Sequence, residues 1–371
     1  MSSRATFWLA AAALLVAAVA LPLAFVSLIR AGDDGQAAAP PALAEEPSGG
    51  EMGGMEMAGG DAMAEHMGPA PTEGVPAATA ARGGEVLEPR VENGVWVYEL
   101  TAKAVRWEIL SGVRVTAFTY NGTVPGPELR IPYGQRVRIE VTNELPEPTT
   151  VHWHGIAVPN AMDGVPGVTQ DPIEPGETFT YEFDAIPAGR DSEGGTFFYH
   201  SHFEEDRQVG LGLSGPLVIE PPSPERYDVE RTVMINEWNV DVARSETRPP
   251  MEMEGMLPNF FTLNGKSYPA TETIPVKRGD RVLLRVVGAG QFMHPMHLHG
   301  TDFEIVAKDG HPVAGEPQRA DVVQIAPGER YDLAFTATEP GKWIFHCHIG
   351  HHLTNDGDDP GGLILTLDVA A

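Results

Sequence analysis

The stretch Gly341-Lys342-Trp343-Ile344-Phe345-His346-Cys347-His348 decides the fold, and it holds the only cysteine among 371 residues. Its β-branched and aromatic residues follow a glycine, which predicts a strand that ends at the histidines. Side chains alternate between the faces of a strand, so Cys347 points one way and His346 and His348 point the other. A metal held by Cys347 would then lie a few covalent bonds from metals held by the histidines. The stretch therefore predicts a path for electrons between two metal sites.

The same arrangement of histidines occurs twice along the chain. A His-x-His-Gly motif begins at His152 and again at His297, and a second His-x-His pair begins at His200 and again at His346. Short alternating segments separated by glycine and proline turns surround these motifs in both copies, which predicts strands. We therefore predict an all-β chain in which each copy forms one β-sandwich, the first over residues 91–222 and the second over residues 223–371.

The region before the two copies has a different composition. Residues 5–29 are apolar and uncharged, which is long enough to span a bilayer, so residues 1–30 are predicted to be a signal anchor or a signal peptide. We expect an exported protein on the periplasmic or extracellular face of the membrane, associated with it through this segment. Residues 31–90 are rich in Ala, Gly, Pro, Met and Glu, which predicts a disordered tether.

Charge and cysteine usage exclude several classes of protein. The formal net charge of −27 argues against nucleic acid and anionic membrane surfaces as partners. A single cysteine cannot form an intrachain disulfide framework. The histidines, not the cysteine count, therefore carry the prediction of function.

The paired histidines are expected to hold more than one metal ion. Imidazole suits copper, zinc, iron and nickel, and eight imidazoles on inward strand faces exceed the needs of one ion. His294 and His352 flank Cys347 in the predicted fold, and two imidazoles with a thiolate form a trigonal blue-copper electron-transfer site. The paired histidines are His152, His154, His200, His202, His297, His299, His346 and His348.

In these four motifs the chain resembles the multicopper oxidases, in particular the laccase-like family with two cupredoxin domains, over roughly residues 95–371. The resemblance implies two tandem cupredoxin-like Greek-key β-sandwich domains. It also implies four copper ions per functional unit, comprising one type 1, one type 2 and two type 3 ions. The first copy has Ser201 where the second has Cys347, so the resemblance assigns type 1 copper to the second domain alone.

The resemblance also implies a role for each ligand. It assigns His294, Cys347 and His352 to type 1 copper, and His152 and His297 to type 2 copper. It assigns the type 3 pair to His154, His200, His202, His299, His346 and His348.

Two further residues are predicted to act near the metals. The family's axial position ten residues after the cysteine is Gly357 here, and realignment across an expanded loop makes Leu363 the candidate axial neighbour of type 1 copper. The alternative interpretation is that Leu363 is an ordinary core residue with no role at the copper site. Asp163 matches a family acid that relays protons to the cluster, and its alternative role is to cap the turn at Gly164.

The function implied by the resemblance is oxidation of a small reducing substrate, such as a phenol, with dioxygen reduced to two waters. Electrons are expected to enter through the exposed edge of His294 or His352 and to leave through Cys347. The resemblance also implies a homotrimer, because each domain holds half the cluster ligands and two-domain relatives share clusters between subunits.

Three alternatives remain open. The first is a metal oxidase for Cu(I) or Mn(II) in copper tolerance. Two methionine clusters favour Cu(I), because thioethers suit this ion. They are Met52, Met55, Met57, Met63 and Met67, and Met251, Met253 and Met256. The second, from another class, is a non-catalytic copper-binding cupredoxin. The third is a copper nitrite reductase, which would need its cysteine where Ser201 stands.

Overall fold

The first copy forms two facing sheets. The protein was analysed as a computed structural model, which describes residues 68–189, 192–252, 255–256 and 258–371. One sheet contains β1, β2, β3, β5 and β7, and the other contains β4, β6, β8 and β9. The strand bounds are β1 (Arg90–Glu92), β2 (Val95–Leu110), β3 (Val113–Tyr120), β4 (Leu129–Pro132), β5 (Arg136–Asn143), β6 (His152–His154), β7 (Thr178–Asp184), β8 (Gly195–His200) and β9 (Ser214–Glu220).

The second copy repeats this plan with additional strands. One sheet follows the order β11-β10-β16-β22-β18-β19, with β14 and β20 attached, and the other follows β15-β24-β23-β17-β21. β12 and β13 form a separate two-stranded ribbon. The bounds are β10 (Val229–Asp241), β11 (Glu246–Arg248), β12 (Met251–Glu252), β13 (Gly255–Met256), β14 (Phe260–Leu263), β15 (Thr273–Lys277), β16 (Arg281–Gly288), β17 (His294–Leu298), β18 (Phe303–Lys308), β19 (His311–Pro312), β20 (Gln318–Ala320), β21 (Val322–Ile325), β22 (Arg330–Thr336), β23 (Gly341–Cys347) and β24 (Ile364–Ala370).

Equivalent strands pair in the same way in both copies. β2 runs parallel to β5 as β10 runs parallel to β16, and β4 runs parallel to β9 as β15 runs parallel to β24. Hairpins alone cannot produce parallel pairs, so each copy needs connections that cross between its sheets. The predicted all-β class is confirmed, since the helices of the described residues are short: α1 (Glu205–Gln208) and two 3-10 turns, Asn160–Met162 and Gly350–Leu353.

The duplication extends to individual turns. Asn121 and Asn264 both have positive φ, and each precedes a glycine with positive φ. The Asn121 Oδ1 accepts from the backbone N–H of Thr101 at 2.7 Å, and the Asn264 Oδ1 accepts from that of Met234 at 2.8 Å. Asparagine tolerates the left-handed conformation and bonds the neighbouring backbone, which explains why the same dipeptide stands at both turns.

Each copy has its own apolar core, and a third apolar cluster joins them. This joining cluster includes Trp107 and Val124 from the first copy and Trp238 and Phe260 from the second, all nearly fully buried. The Trp107 Nε1–H donates to the Gly265 carbonyl at 2.7 Å, so a buried hydrogen bond crosses the same junction. The joining cluster seats the second copy firmly on the first within one chain.

The prediction of a disordered tether over residues 31–90 is wrong for residues 68–90. Ala70 is buried in the first core, and its N–H donates to the Thr247 carbonyl at 2.7 Å. Further along, Arg106 donates to the Pro76 carbonyl and Leu87 donates to the Glu128 carbonyl. Proline-rich segments lack regular pairing signals, yet their carbonyls still accept hydrogen bonds from strands. The remainder of the tether lies outside the described residues.

The predicted signal anchor at residues 5–29 also lies outside the described residues. Among the residues that the structure describes, none of the helices is long and apolar enough to cross a membrane. Membrane association therefore stays a prediction.

Candidate metal centres

Cys347, His294 and His352 converge in the core of the second copy. Cys347 ends β23, His294 begins β17, and His352 lies in the 3-10 turn Gly350–Leu353. The Cys347 Sγ lies 3.4 Å from the His352 Nδ1 and 3.8 Å from the His294 Nδ1. The two Nδ1 atoms are 3.1 Å apart. All three side chains are at most 1% exposed, so the strands and the turn bring three donor atoms together away from water.

The chemistry of this donor set fits copper. A thiolate with two imidazoles is the trigonal set of blue-copper sites. The other nitrogen of His294, Nε2, lies 2.6 Å from the Glu237 Oε1, and Glu237 is itself 1% exposed. The carboxylate holds the proton on Nε2, so the lone pair of Nδ1 faces the site. A buried carboxylate thus fixes the tautomer that a metal ligand needs.

The prediction that an edge of His294 or His352 is exposed is wrong, and the entry point of electrons stays a prediction. Both rings are only 1% exposed, because Glu237 covers one and Phe261 stacks on the other at a centroid distance of 4.2 Å. His351, by contrast, is exposed, and its ring lies 4.3 Å from that of His352 in an edge contact. The imidazole that reaches solvent beside this site is therefore His351.

Burial governs the ionisation of the metal-free thiol. It raises the pKa of Cys347 to about 11, with a smaller contribution from the Glu237 charge. Binding of a metal must therefore displace a proton from the sulfur. Leu363 is fully buried in the same apolar cluster as Cys347, and its carbonyl accepts from the Cys347 N–H at 3.1 Å. Leu363 is thus a close neighbour of the thiol, and its axial role stays a prediction.

The first copy carries one set of paired histidines at the junction of β6 and β8. Donor atoms of His152, His154 and His200 lie within 4.8 Å of one another. The His154 Nδ1 is 3.3 Å from the His200 Nε2, so these two nitrogens face the same space. His202 lies beside this set, with its ring 5.6 Å from that of His152.

The second copy carries an equivalent set on β17 and β23. Donor atoms of His297, His299 and His346 lie within 4.8 Å of one another, and the His299 Nε2 is 3.0 Å from the His346 Nε2. The His348 ring is 5.7 Å from that of His297. His299 and His348 are exposed. Among the described residues no ring contact joins this set to the histidines of the first copy, so the two sets are separate groups within one chain.

Backbone carbonyls orient the imidazoles in the same way in both sets. The His200 Nδ1–H donates to the Ser201 carbonyl and the His346 Nδ1–H donates to the Cys347 carbonyl, each at 2.8 Å. A carbonyl only accepts, so the proton lies on Nδ1 and the lone pair on Nε2. Burial, followed by the neighbouring histidines, lowers the pKa of His200 to about 3, so this ring stays neutral and able to bind a metal near neutral pH.

Two aspartates occupy equivalent places beside the first histidine of each set. The His152 Nδ1–H donates to the Asp163 carbonyl at 2.7 Å, and the Asp163 carboxylate lies 3.5 Å from the same nitrogen. The His297 Nδ1–H donates to the Asp321 carbonyl at 2.8 Å, with that carboxylate at 3.7 Å. The predicted proton-relay residue Asp163 therefore lies beside the cluster, and its relay role stays a prediction.

Sequence comparison identifies the family. Two multicopper oxidase family models match residues 101–224 and 243–356. The solved blue copper oxidase from Nitrosomonas europaea shares 36% identity, and the match covers 74% of this chain and 85% of that one, with a TM-score of 0.68. The chain belongs to the multicopper oxidase family. The cupredoxin-like fold predicted from the resemblance is thereby confirmed.

Other multicopper oxidase relatives are longer than this chain. Laccase-1 of Botryotinia fuckeliana is 37% identical over 239 residues, which are 61% of this chain and 40% of the relative. Multicopper oxidase MmcO of Mycobacterium tuberculosis is 32% identical over 259 residues, 62% of this chain and 49% of the relative. Copper resistance protein A of Pseudomonas syringae pv. tomato is 30% identical over 64% of this chain and 45% of the relative. The chain therefore spans less than half the length of these relatives.

Sequence reasoning missed several residues around the metal centres. Glu237 had one available signal, because an acid within the apolar segment Val233–Trp238 is seldom buried without a partner. Asp321 had none, since it stands 24 residues after His297 whereas Asp163 stands 11 after His152. The folded strands alone place the two aspartates at equivalent positions.

Proposed function

We propose that the chain is a copper-dependent oxidase that couples four one-electron oxidations of a small reducing substrate to the reduction of dioxygen to two waters. The observation that supports it is the position of Cys347, which is buried with His294 and His352 on one face of β23. Its neighbours His346 and His348 lie on the other face, where His346 belongs to the histidine set of the second copy and stacks on His348. When bound, copper supplies the one-electron redox chemistry.

The chain's own residues position both donor sets. Glu237 holds the His294 tautomer, and the backbone carbonyls of Ser201 and Cys347 hold those of His200 and His346. The covalent bonds of Cys347 and its two histidine neighbours connect the buried donor set of Cys347 to the histidine set of the second copy. Asp163 lies within reach of His152 and is the proposed carrier of protons to the oxygen-reducing side.

The proposed entry point for electrons is the imidazole of His351. It is exposed, it is covalently attached to His352, and its ring lies 4.3 Å from the His352 ring. It also meets the buried Phe261 ring at 5.8 Å, so packing holds it in place. A planar phenol stacking on this imidazole would lie one ring away from a buried copper ligand.

Oxygen uptake tests the proposed reaction. Copper-loaded protein is supplied in turn with a phenol, Cu(I) and Mn(II), and the Cys347→Ser variant is measured in parallel. We expect uptake with at least one reductant and none above background in the variant. Copper binding without uptake for any reductant would indicate a copper-binding protein with no turnover, and uptake that survives in the variant would contradict the proposed electron path.

We also propose that the complete cluster forms between subunits of a homotrimer. The two histidine sets lie apart within one chain, and the second set has two exposed imidazoles. A head-to-tail contact that closes into a ring would join the first set of one subunit to the second set of the next.

Mixing defective subunits tests this assembly. His154→Ala disables the first set and His299→Ala disables the second, while both variants keep the Cys347 site. In randomly mixed trimers, about a quarter of the junctions would combine two intact halves and recover activity. Sites formed within single chains would recover none, and a monomer in light scattering with full copper content would overturn the proposal.

A second candidate function is oxidation of Cu(I). The observation that favours it is Met293, which is 58% exposed and directly precedes His294. An exposed thioether is a soft ligand suited to Cu(I). Met293→Leu would then raise the KM for Cu(I) and leave the KM for a phenol unchanged. The side chains of the two methionine clusters lie outside the described residues, so their role in copper capture stays a prediction.

A further inference from the structure

We propose that Arg330 of the second copy is a positioning residue for the metal-binding histidines of the first copy. It clamps Phe198, the aromatic ring on which His154 and His200 both stack, and it places a fixed positive charge beside them. The inference rests on the proposed copper binding and extends it to a residue of the other domain. Five features of the structure support it.

The guanidinium of Arg330 is held rigidly. It is 5% exposed, its Nη1–H donates to the Gly328 carbonyl at 2.6 Å, and its Nη2–H donates to the Asp309 carbonyl at 3.1 Å. The Asp309 carboxylate lies 3.5 Å from Nη1. The Asp309 Oδ1 also accepts from the Arg330 backbone N–H at 3.0 Å. A planar cation with this many partners keeps one orientation.

The clamp acts on a stack of three rings. The Arg330 Cζ lies 5.9 Å from the centre of the Phe198 ring, within the range of a cation–π interaction. Phe198 stacks on His154 at 4.6 Å with an interplanar angle of 24°, and on His200 at 4.9 Å with an angle of 20°. A shift of the Phe198 ring would therefore tilt both imidazoles and redirect the nitrogens they offer to a metal.

The glycine of the first His-x-His-Gly motif, Gly155, leaves room for this cation because it has no side chain. A Cβ on Gly155 would stand 2.9 Å from the Arg330 Nη2 and 2.8 Å from the Phe197 Cδ1. Gly155 also has a φ of +87°, so a side chain is disfavoured there on two grounds. The turn at Gly328 also lies close to the first copy, because a Cβ there would stand 3.3 Å from the His154 Cε1.

The histidines of the second copy have no equivalent clamp. Ile344 stands two residues before His346, where the first copy has Phe198 before His200. The turn Pro175-Gly176-Glu177 of the first copy is followed by Thr178, whereas Pro327-Gly328-Glu329 of the second is followed by Arg330. Gly300, the counterpart of Gly155, is covered by Trp343 of its own copy. The device is therefore not a by-product of the repeated fold, and it makes the two halves of the cluster electrostatically unequal.

The positive charge of Arg330 lies close to the histidine ligands. Its Nη2 would stand 2.9 Å from a Cβ on Gly155, the residue that follows His154. A cation at this position disfavours added positive charge, so it should favour the reduced state of a copper ion bound there. Removal of the charge should then lower the reduction potential of the histidine-bound copper.

Three variants test the proposal in the copper-loaded protein. Arg330→Met removes the charge and the hydrogen bonds, Arg330→Lys keeps the charge and loses the planar fork, and Phe198→Leu removes the stacking ring. The matched control is Arg281→Met. Arg281 is an exposed arginine on β16, the strand that pairs with β22, and it lies 4.9 Å from the Tyr227 ring. The measurements are copper retention against a chelator, the near-ultraviolet absorption of the coupled copper pair, and its reduction potential.

For Arg330→Met we expect copper retention at the histidine sites to fall by about tenfold or more, as for other residues that orient metal ligands. We also expect a lower potential and an altered near-ultraviolet band, while the visible absorption of the Cys347 site stays unchanged. Arg330→Lys should have the wild-type reduction potential, because the charge is kept, but the same altered near-ultraviolet band as Arg330→Met. Phe198→Leu should alter the band and leave the potential closer to that of the wild type.

Two outcomes would overturn the inference. One is an Arg330→Met protein whose copper retention, band and potential match those of Arg281→Met. The other is equal loss at the Cys347 site, which would indicate general unfolding. A wild-type protein that binds no copper at its histidines would instead refute the proposed function, so the two failures are distinguishable.

Discussion

Replacement of Glu237 by glutamine should separate the structural role of this buried residue from its electrostatic role. One carboxylate oxygen lies 2.6 Å from the His294 Nε2, and the other accepts from the Gln291 backbone N–H at 2.9 Å. Glutamine has nearly the same shape but only one accepting oxygen. Its side-chain NH2 group must therefore face either the His294 N–H or the Gln291 N–H, and that hydrogen bond is lost.

The size of the effect follows from these two contacts. A buried donor left without an acceptor costs about 1–3 kcal/mol, so Glu237→Gln should destabilise the fold by that amount and Glu237→Leu by roughly twice as much. Loss of a group that orients a metal-binding imidazole lowers metal affinity by about 10- to 100-fold. Removal of a nearby negative charge should also raise the reduction potential of the copper bound by Cys347.

Three measurements on each variant test this reasoning. Chemical unfolding gives the stability, chelator competition gives the copper affinity, and redox titration of the visible band gives the potential. The control is Glu225→Gln, since that carboxylate is 57% exposed and distant from the thiol in sequence. A Glu237→Gln protein with wild-type affinity and potential would refute the view that the carboxylate fixes the His294 tautomer.

Further expectations concern the thiol, the electron entry point and pH. Cys347→Ser should abolish the visible absorption while the histidine sites still bind copper, and loss of all copper would contradict separate sites. His351→Ala should lower kcat/KM for a phenol by about tenfold without changing the visible band, whereas an unchanged rate would exclude His351 as the entry point. Below pH 6.5 the unfolded chain protonates His200 and His352, but the folded chain, where burial lowers both pKa values to about 3, does not. Each of these two histidines should therefore lower the free energy of unfolding of the metal-free protein by up to about 1.4 kcal/mol per pH unit as the pH falls from 6.5 to 3. Chemical unfolding at a series of pH values measures this, and a flat profile would contradict the low pKa values.

Local patterns were sufficient to predict the strands and the residue types that meet at each candidate site. Alternation along a strand predicts that Cys347 and His346 face opposite ways, and this depends only on the backbone period of two. The duplicated motifs also identified Ser201 as the counterpart of Cys347. These predictions succeeded because they involve residues close together in the chain.

Predictions that depended on packing were less successful. The exposure of His294 and His352 was wrong because Glu237 and Phe261 come from strands far away in sequence and cover both rings. Residues 68–90 were expected to be disordered because their composition is poor in large apolar side chains. Their backbone hydrogen bonds to the folded domains, which composition does not reveal, order them instead.

The sequence by itself determined that this protein has a thiol between two histidines, a repeated set of eight imidazoles, and a β-sandwich to carry each copy. Only the tertiary structure decided which groups surround those ligands. Glu237 and Asp321 stand 57 and 24 residues from the histidines they contact, and Arg330 stands 132 residues from Phe198, on which two histidines stack. The physical reason is that hydrogen bonds and stacking depend on positions in space, and strand pairing sets those positions only when the whole sandwich has formed.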